Sequence, residues 1–128
     1  MKRLIAVLAI MPTIGFAETV SGNDLYSACT ATGDVVDLRY GYCIGYIGGA
    51  FEGIKLGAGA IMFQAMREGT AAEVDQASNE LLGICVPETV ERGQIVDVAI
   101  QYMAKNPQIR HESARGLLLQ SMQEAFPC

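Results

Sequence analysis

Five glycines stand four residues apart, at Gly41, Gly45, Gly49, Gly53 and Gly57, inside an apolar run from Tyr40 to Met66. On a helix, residues four apart lie one above another, so the missing side chains leave a groove that another backbone can approach. That backbone could belong to this chain or to a second copy, a homodimer through the Gly41–Gly57 face. Each glycine costs about 1 kcal/mol relative to alanine in a helix interior, so five forgo roughly 5 kcal/mol that close packing must offset. Beside the ladder, Ile44, Ile47, Phe51, Ile54, Ala58, Ile61 and Ala65 recur at alternating steps of three and four, which gathers them on one core-facing side. A membrane-spanning glycine zipper is the rival reading of the run. Glu52 and Lys55 speak against it, because each would cost about 2.5 to 3.5 kcal/mol at a bilayer centre. A continuous helix from Asp37 to Arg67 would be about 46 Å long, and in a small domain this predicts a break at Gly57 to Gly59.

Met1 to Ala17 begins with Lys2 and Arg3, continues through an apolar run from Leu4 to Ile10, and ends Gly15, Phe16, Ala17. This is the pattern of a secretory signal peptide over residues 1–17, with cleavage after Ala17 and export to the periplasm. Residues 18–128 are then one domain's worth of chain. The sequence holds nine Lys and Arg against fourteen Asp and Glu. Losing Lys2 and Arg3 leaves seven basic residues and moves the net charge from −5 to −7. Such a balance repels phosphate backbones and argues against nucleic acid. It keeps a small secreted domain soluble, and it would suit a basic protein partner.

All four cysteines, Cys29, Cys43, Cys85 and Cys128, follow the exported segment. An even count after a signal peptide reads as a disulfide framework. None forms a CxxC pair and His111 is the single histidine, so no metal is expected, nor any cofactor. Ser21 or Asn23 can cap a first helix with Leu25 and Ala28 facing inward. Thr32, Gly33 and Asp34 make a turn, and the long helix follows with Val35, Val36 and Leu38 in its entry. Two antiparallel helices joined there bring Cys29 level with Cys43.

Beyond the long helix, Thr70 is a plausible cap for a short one ending at Gly83, with Val74, Ala77 and Leu81 as its apolar stripe. Cys85, Val86 and Pro87 form an extended corner, since the residue before proline avoids the helical region. A central helix is expected from about Arg92 to Lys105, carrying Ile95, Ala99, Tyr102 and Met103 on one face beside Val96 and Ile100. Asn106 and Pro107 reset the chain as cap and first helical residue. The last helix carries Ala114, Leu117, Leu118, Ser121, Met122 and Ala125, with Glu112 in its first turn. The predicted fold is an all-α, disulfide-stapled bundle of four to five helices.

Four blocks together, CIGYIGG from Cys43, CVPETVERGQ from Cys85, NPQIRHESA from Asn106 and the terminal AFPC, resemble the Rap/Tai family of immunity proteins. The resemblance covers about 100 residues, so residues 18–128 are read as a Rap/Tai-like helical immunity domain. It implies a fold similar to small helical periplasmic acid-stress chaperones. It also implies a protein that binds and neutralises a peptidoglycan amidase effector delivered by type VI secretion. The family's threonine before Gly-Gln is absent, the chain reading Glu91, Arg92, Gly93, Gln94. Its His-Pro is replaced by Asn106 and Pro107, while Arg110 and His111 are kept.

The expected connectivity is Cys29 with Cys43 and Cys85 with Cys128, the second bridge fastening the last helix to the corner before the central one. Tyr40, Tyr42 and Tyr46 cluster around Cys43 and are candidate partner contacts, tyrosine being enriched at interfaces, although they could equally pack the disulfide. Arg110 and His111 are a second candidate contact, with a structural hydrogen-bonding role as the alternative. There is no Ser/His/Asp arrangement, nucleophile elbow or phosphate loop, so the chain is read as a binding module and not an enzyme. A periplasmic acid-stress-type chaperone is the alternative function.

Overall fold

The computed structural model describes residues 19–31 and 38–128. The signal peptide read over residues 1–17, the turn at Thr32, Gly33 and Asp34, and Val35 and Val36 lie outside the described residues. Five α-helices follow in order: α1 (Gly22–Cys29), α2 (Leu38–Ala65), α3 (Ala71–Leu82), α4 (Arg92–Lys105) and α5 (Ala114–Ala125), with a 3-10 turn over Pro107–Ile109 ahead of the last. Among the described residues there is no strand, and one isolated antiparallel bridge joins Ser21 to Ser113. The fold is therefore all-α, as the periodicity predicts.

Two reciprocal caps start α1 and α3. Ser21 Oγ accepts from the Asp24 amide at 3.2 Å while Asp24 Oδ2 accepts from the Ser21 amide at 3.3 Å. Thr70 and Glu73 repeat this at 3.4 and 2.8 Å, and α3 stops at Gly83 in the left-handed region (φ 66°). Each box satisfies two amides that a helix start would leave free. The bonds hold both carboxyls below the ordinary range, for Asp24 chiefly through the Ser21 hydroxyl and for Glu73 chiefly through the Thr70 amide. A carboxyl with a lowered folded pKa contributes stability that is complete above its unfolded value of about 4 and is lost as pH falls through the lowered one. The first turns of α1 and α3 should therefore loosen in acid, below about pH 4, before the core does. Amide exchange at residues 22–24 and 71–73 followed by NMR checks this, and equal loosening of the α5 amides would refute it.

The core draws on α1 (Leu25, Cys29), α2 (Cys43, Ile47), α4 (Ile95, Val96, Ala99, Met103) and α5 (Ala114, Leu117, Leu118, Met122), with Ile84 from the corner between α3 and α4. Each fully buried aliphatic side chain contributes roughly 1.5–3 kcal/mol relative to exposure. Disulfides join Cys29 to Cys43 (S–S 2.08 Å) and Cys85 to Cys128 (S–S 2.18 Å). The first fastens α1 to α2 from inside the core, and the second fastens the chain's end to the corner after α3. The central position expected for α4 belongs to α2, which packs against each of the other four helices.

Three expectations are corrected here. The long helix does not break at Gly57 to Gly59: α2 runs unbroken from Leu38 to Ala65. The chain reverses through Arg67 (φ 23°), so that α3 returns along the distal half of α2, with Ala58 and Ser78 buried between them. Ser78, not Leu81, holds the buried position of α3. The small serine, its Oγ donating to Val74 O at 2.5 Å, lets α3 approach α2 near Gly59, while Leu81 is left 53% exposed. Glu112 lies before α5 and not in its first turn. The carbonyls of Arg110 and Glu112 accept from the amides of Asn23 (2.7 Å) and Gly22 (2.9 Å) at the start of α1, and the Ala114 amide donates to Val20 O at 2.8 Å. Backbone committed to that pairing cannot also wind into a helix.

Among the described residues nothing fills the glycine groove. A side-chain carbon placed on Gly41, Gly45, Gly49, Gly53 or Gly57 would meet nothing within 4 Å. The core takes the opposite side of α2, around Cys43 and Ile47, so no described segment of the same chain lies against the ladder.

Candidate protein-docking surface

Because successive helical residues are turned by about 100°, Tyr42 and Tyr46 share a side of α2 and Tyr40 does not. The rings of Tyr42 and Tyr46 lie 5.8 Å apart at 37°. Tyr46 is half-buried against the core, and burial, with the nearby Tyr42, raises its hydroxyl pKa. Tyr40 faces α4, where it lines a shallow cleft of about 380 Å³ with Ile44, Arg92, Val96 and Asp97. Tyr40 and Tyr42 are 48% and 44% exposed, leaving usable aromatic surface on two sides of the helix.

Arg110 makes structural contacts. Its guanidinium sits 3.7 Å from the centre of the Tyr26 ring, and Nε and Nη2 donate to the carbonyls of Met103 (2.6 Å) and Ala104 (3.2 Å) at the end of α4. One side chain thus caps α4 and packs α1 onto it. Arg110→Ala should cost roughly 1–3 kcal/mol, read as a lower midpoint in thermal unfolding. Arg110→Lys should recover only part, since an ammonium cannot reproduce the planar fork. His111 is exposed in the turn before α5.

Further exposed apolar side chains lie elsewhere. On the distal half of α2, Leu56 (75%), Ile61 (59%) and Phe63 (67%) are exposed, and a groove of about 520 Å³ runs between α2 and α3 over Leu56, Gly59, Ala60, Phe63 and Val74. Lys55 closes one side, 3.5 Å from Asp75 and hydrogen-bonded to Asn79. Nearer the core, Arg92 bridges α4 to α2 through Glu52 at 2.6 Å, both side chains exposed. The signal for this surface was present in the sequence: Leu56 and Phe63 fall off the buried stripe, so α2 is apolar around nearly its whole circumference, more than one core can cover. Exposed apolar area of this kind makes the groove a candidate docking surface.

Chemically the surface offers shape and apolar area. Among the described residues no group of three or more His, Cys, Asp or Glu is placed to hold a metal ion, and no described helix is long and apolar enough to cross a membrane. A family model described as Rap1a immunity proteins matches residues 21–128. No curated protein and no solved structure matches the chain.

Proposed function

Since this chain belongs to the Rap1a immunity proteins, we propose that it binds and neutralises a peptidoglycan amidase delivered by type VI secretion, protecting the cell that makes it. The observation that carries the reading is the family match, which takes in all five helices and all four cysteines. In this reading residues 1–17 are a cleaved signal peptide. Residues 18–128 then work in the periplasm, where paired cysteines persist. Inhibition is by occupation of the amidase cleft, with Tyr40, Tyr42 and Tyr46 as contacts and His111 outlying, and no catalytic group or cofactor of this chain takes part. A domain held by two disulfides loses little conformational freedom on docking, so contact energy is not consumed by ordering. Its acidic surface steers it toward a basic enzyme in a salt-dependent way.

The test is co-expression in the periplasm with the product of the neighbouring gene, scoring lysis with and without this protein. Protection from lysis, and loss of amidase turnover when the purified proteins are mixed, is the expected result. If the neighbour is no cell-wall enzyme, no hydrolase is recovered from periplasmic extract, and unfolded clients are instead held soluble at low pH, the chaperone reading replaces this one.

A further inference from the structure

We propose that the Cys85–Cys128 bridge is a thiol–disulfide exchange site, which a dithiol reduces in the folded protein while Cys29–Cys43 stays closed, and that its opening frees the end of α3 from the segment after α5. The inference goes beyond the amidase reading and does not rest on it.

The two bridges differ in access. Cys43 is 0% and Cys29 9% exposed, and both belong to the core cluster. Cys85 and Cys128 are exposed and lie outside that cluster. Exchange begins when a thiolate reaches a bridge sulfur, so a bridge inside the core waits for the core to open and one at the surface does not. Local backbone adds to the difference. Cys85 sits in the corner between α3 and α4, and Cys128 lies in a non-helical segment, 126–128, beyond α5. Pro127 within that segment has no amide with which to hold a neighbour.

The step balances with the dithiol as its only co-reactant. One thiolate of the dithiol bonds to a sulfur of the bridge, the Cys85–Cys128 bond breaks, and the departing sulfur leaves as a thiolate and takes up a proton. The second thiol of the dithiol, losing its proton, then attacks the mixed disulfide and releases the other cysteine. Two electrons and two protons pass to Cys85 and Cys128, and the dithiol ends as a disulfide. The reduced form has a partner in place. Cys128 Sγ lies 3.4 Å from the Asn79 carbonyl oxygen near the end of α3, so the thiol made by reduction has an acceptor, whereas the sulfur of a bridge has no hydrogen to donate. Stabilising the dithiol state in this way makes a bridge easier to reduce.

What the bridge holds is the weakly anchored part of the molecule. α3 packs chiefly on α2, and Ser78 is its one buried residue. Its far end is joined to α5 and the segment beyond by this bridge, by Gln123 Nε2 donating to Leu82 O at 2.7 Å, and by the Cys85 amide donating to Phe126 O at 2.8 Å. Ile84, 1% exposed, keeps the corner in the core. Opening the bridge leaves Ile84 and the two hydrogen bonds, so the fold persists while the covalent tie is gone. Asn79 also accepts from Lys55 of α2 through its side chain, so the loosening reaches the groove between α2 and α3. The thiol state of the bridge thereby sets how firmly that groove is shaped.

To test this, the native protein is incubated without denaturant with dithiothreitol or with thioredoxin kept reduced, its thiols are blocked with iodoacetamide, and the labelled cysteines are mapped by mass spectrometry. Cys85 and Cys128 should be labelled at least about ten-fold faster than Cys29 and Cys43, with the circular dichroism spectrum unchanged. Amide exchange should quicken over residues 79–84 and at Phe126 and Cys128, and stay unchanged over α1 and α4. Cys85→Ser combined with Cys128→Ser should show the same exchange pattern with no reductant present, which keeps the test decisive if the reduced protein closes its bridge again. Reduction by dithiothreitol alone assigns the site to small dithiols, and reduction by both reagents extends it to dithiol proteins. Equal labelling of all four cysteines, labelling only after denaturant is added, or labelling that accompanies loss of the helical signal overturns the inference. So does exchange over 79–84 that stays as slow as in the parent in both the reduced protein and the double variant.

Discussion

Replacing Cys29 and Cys43 together by alanine is expected to lower stability by about 3 kcal/mol through chain entropy alone, given a loop of 14 residues. The loss should exceed that figure, because Cys43 is fully buried and Cys29 nearly so, and removing their sulfurs also thins the contact between α1 and α2. The Cys85–Cys128 bridge closes a longer loop of 43 residues, worth about 4 kcal/mol in the same account. Both of its cysteines are exposed, and the Cys85 amide still donates to Phe126 O at 2.8 Å and Gln123 to Leu82 O at 2.7 Å. The outer pair should thus act on the unfolded chain and the inner pair on the core as well. Urea unfolding of each double variant separates them: the inner one should lose native near-ultraviolet signal along with stability. An inner variant within about 1 kcal/mol of the parent would contradict the chain-entropy account.

A comparable loss is expected at Leu117. Its side chain is 1% exposed at the centre of the core, and Leu117→Ala should cost about 2–5 kcal/mol, the spread reflecting how far the cavity collapses. Gly22 makes the site asymmetric. A carbon added there would collide with Leu117 Cδ1 and would lie 2.9 Å from the Arg110 carbonyl oxygen. Gly22→Ala alone should cost about 1–3 kcal/mol by overpacking. Combining the two relieves the collision with the leucine but not with the backbone oxygen, so the double variant should lose less than the sum and still fall below Leu117→Ala. Equilibrium unfolding of the four proteins measures that coupling, and strict additivity would show that Gly22 and Leu117 do not share the space.

Features carried by a few neighbouring residues were legible in the sequence. Ser21, Thr70 and Gly83 each act within one turn, and their chemistry does not wait on tertiary structure. α4 was legible for the same reason: a helix starts at Arg92 even without the family's threonine, because Gln94 Oε1 accepts from the Glu91 amide at 2.8 Å. What misled was whatever depends on another part of the chain. Gly57 to Gly59 read as a break because an unbroken helix of about 46 Å is long for a small domain, yet α3 lies along that stretch and Ala58 is buried there. Glu112 read as a first-turn acid, yet the chain before Ala114 is committed to the start of α1. In the candidate site the tyrosines' spacing of two and four was not resolved into two sides of the helix. Arg110 was named beside His111 because they adjoin in sequence, and the carbonyls that claim its guanidinium lie six and seven residues away.

The return of α3 along the far half of α2 divides the molecule by permanence. α3 packs chiefly on α2, and its one fully buried side chain is Ser78. The thirteen-residue core cluster takes nothing from α3 and nothing from α2 beyond Ile47. Local opening is cheapest where few apolar groups must be exposed, so this hairpin can come apart while the disulfide-closed core stays intact. The exposed apolar surface over α2 and α3 is thus also the part of the described chain that can change shape at least cost. One consequence is that a partner gripping it can remodel it without unfolding the protein.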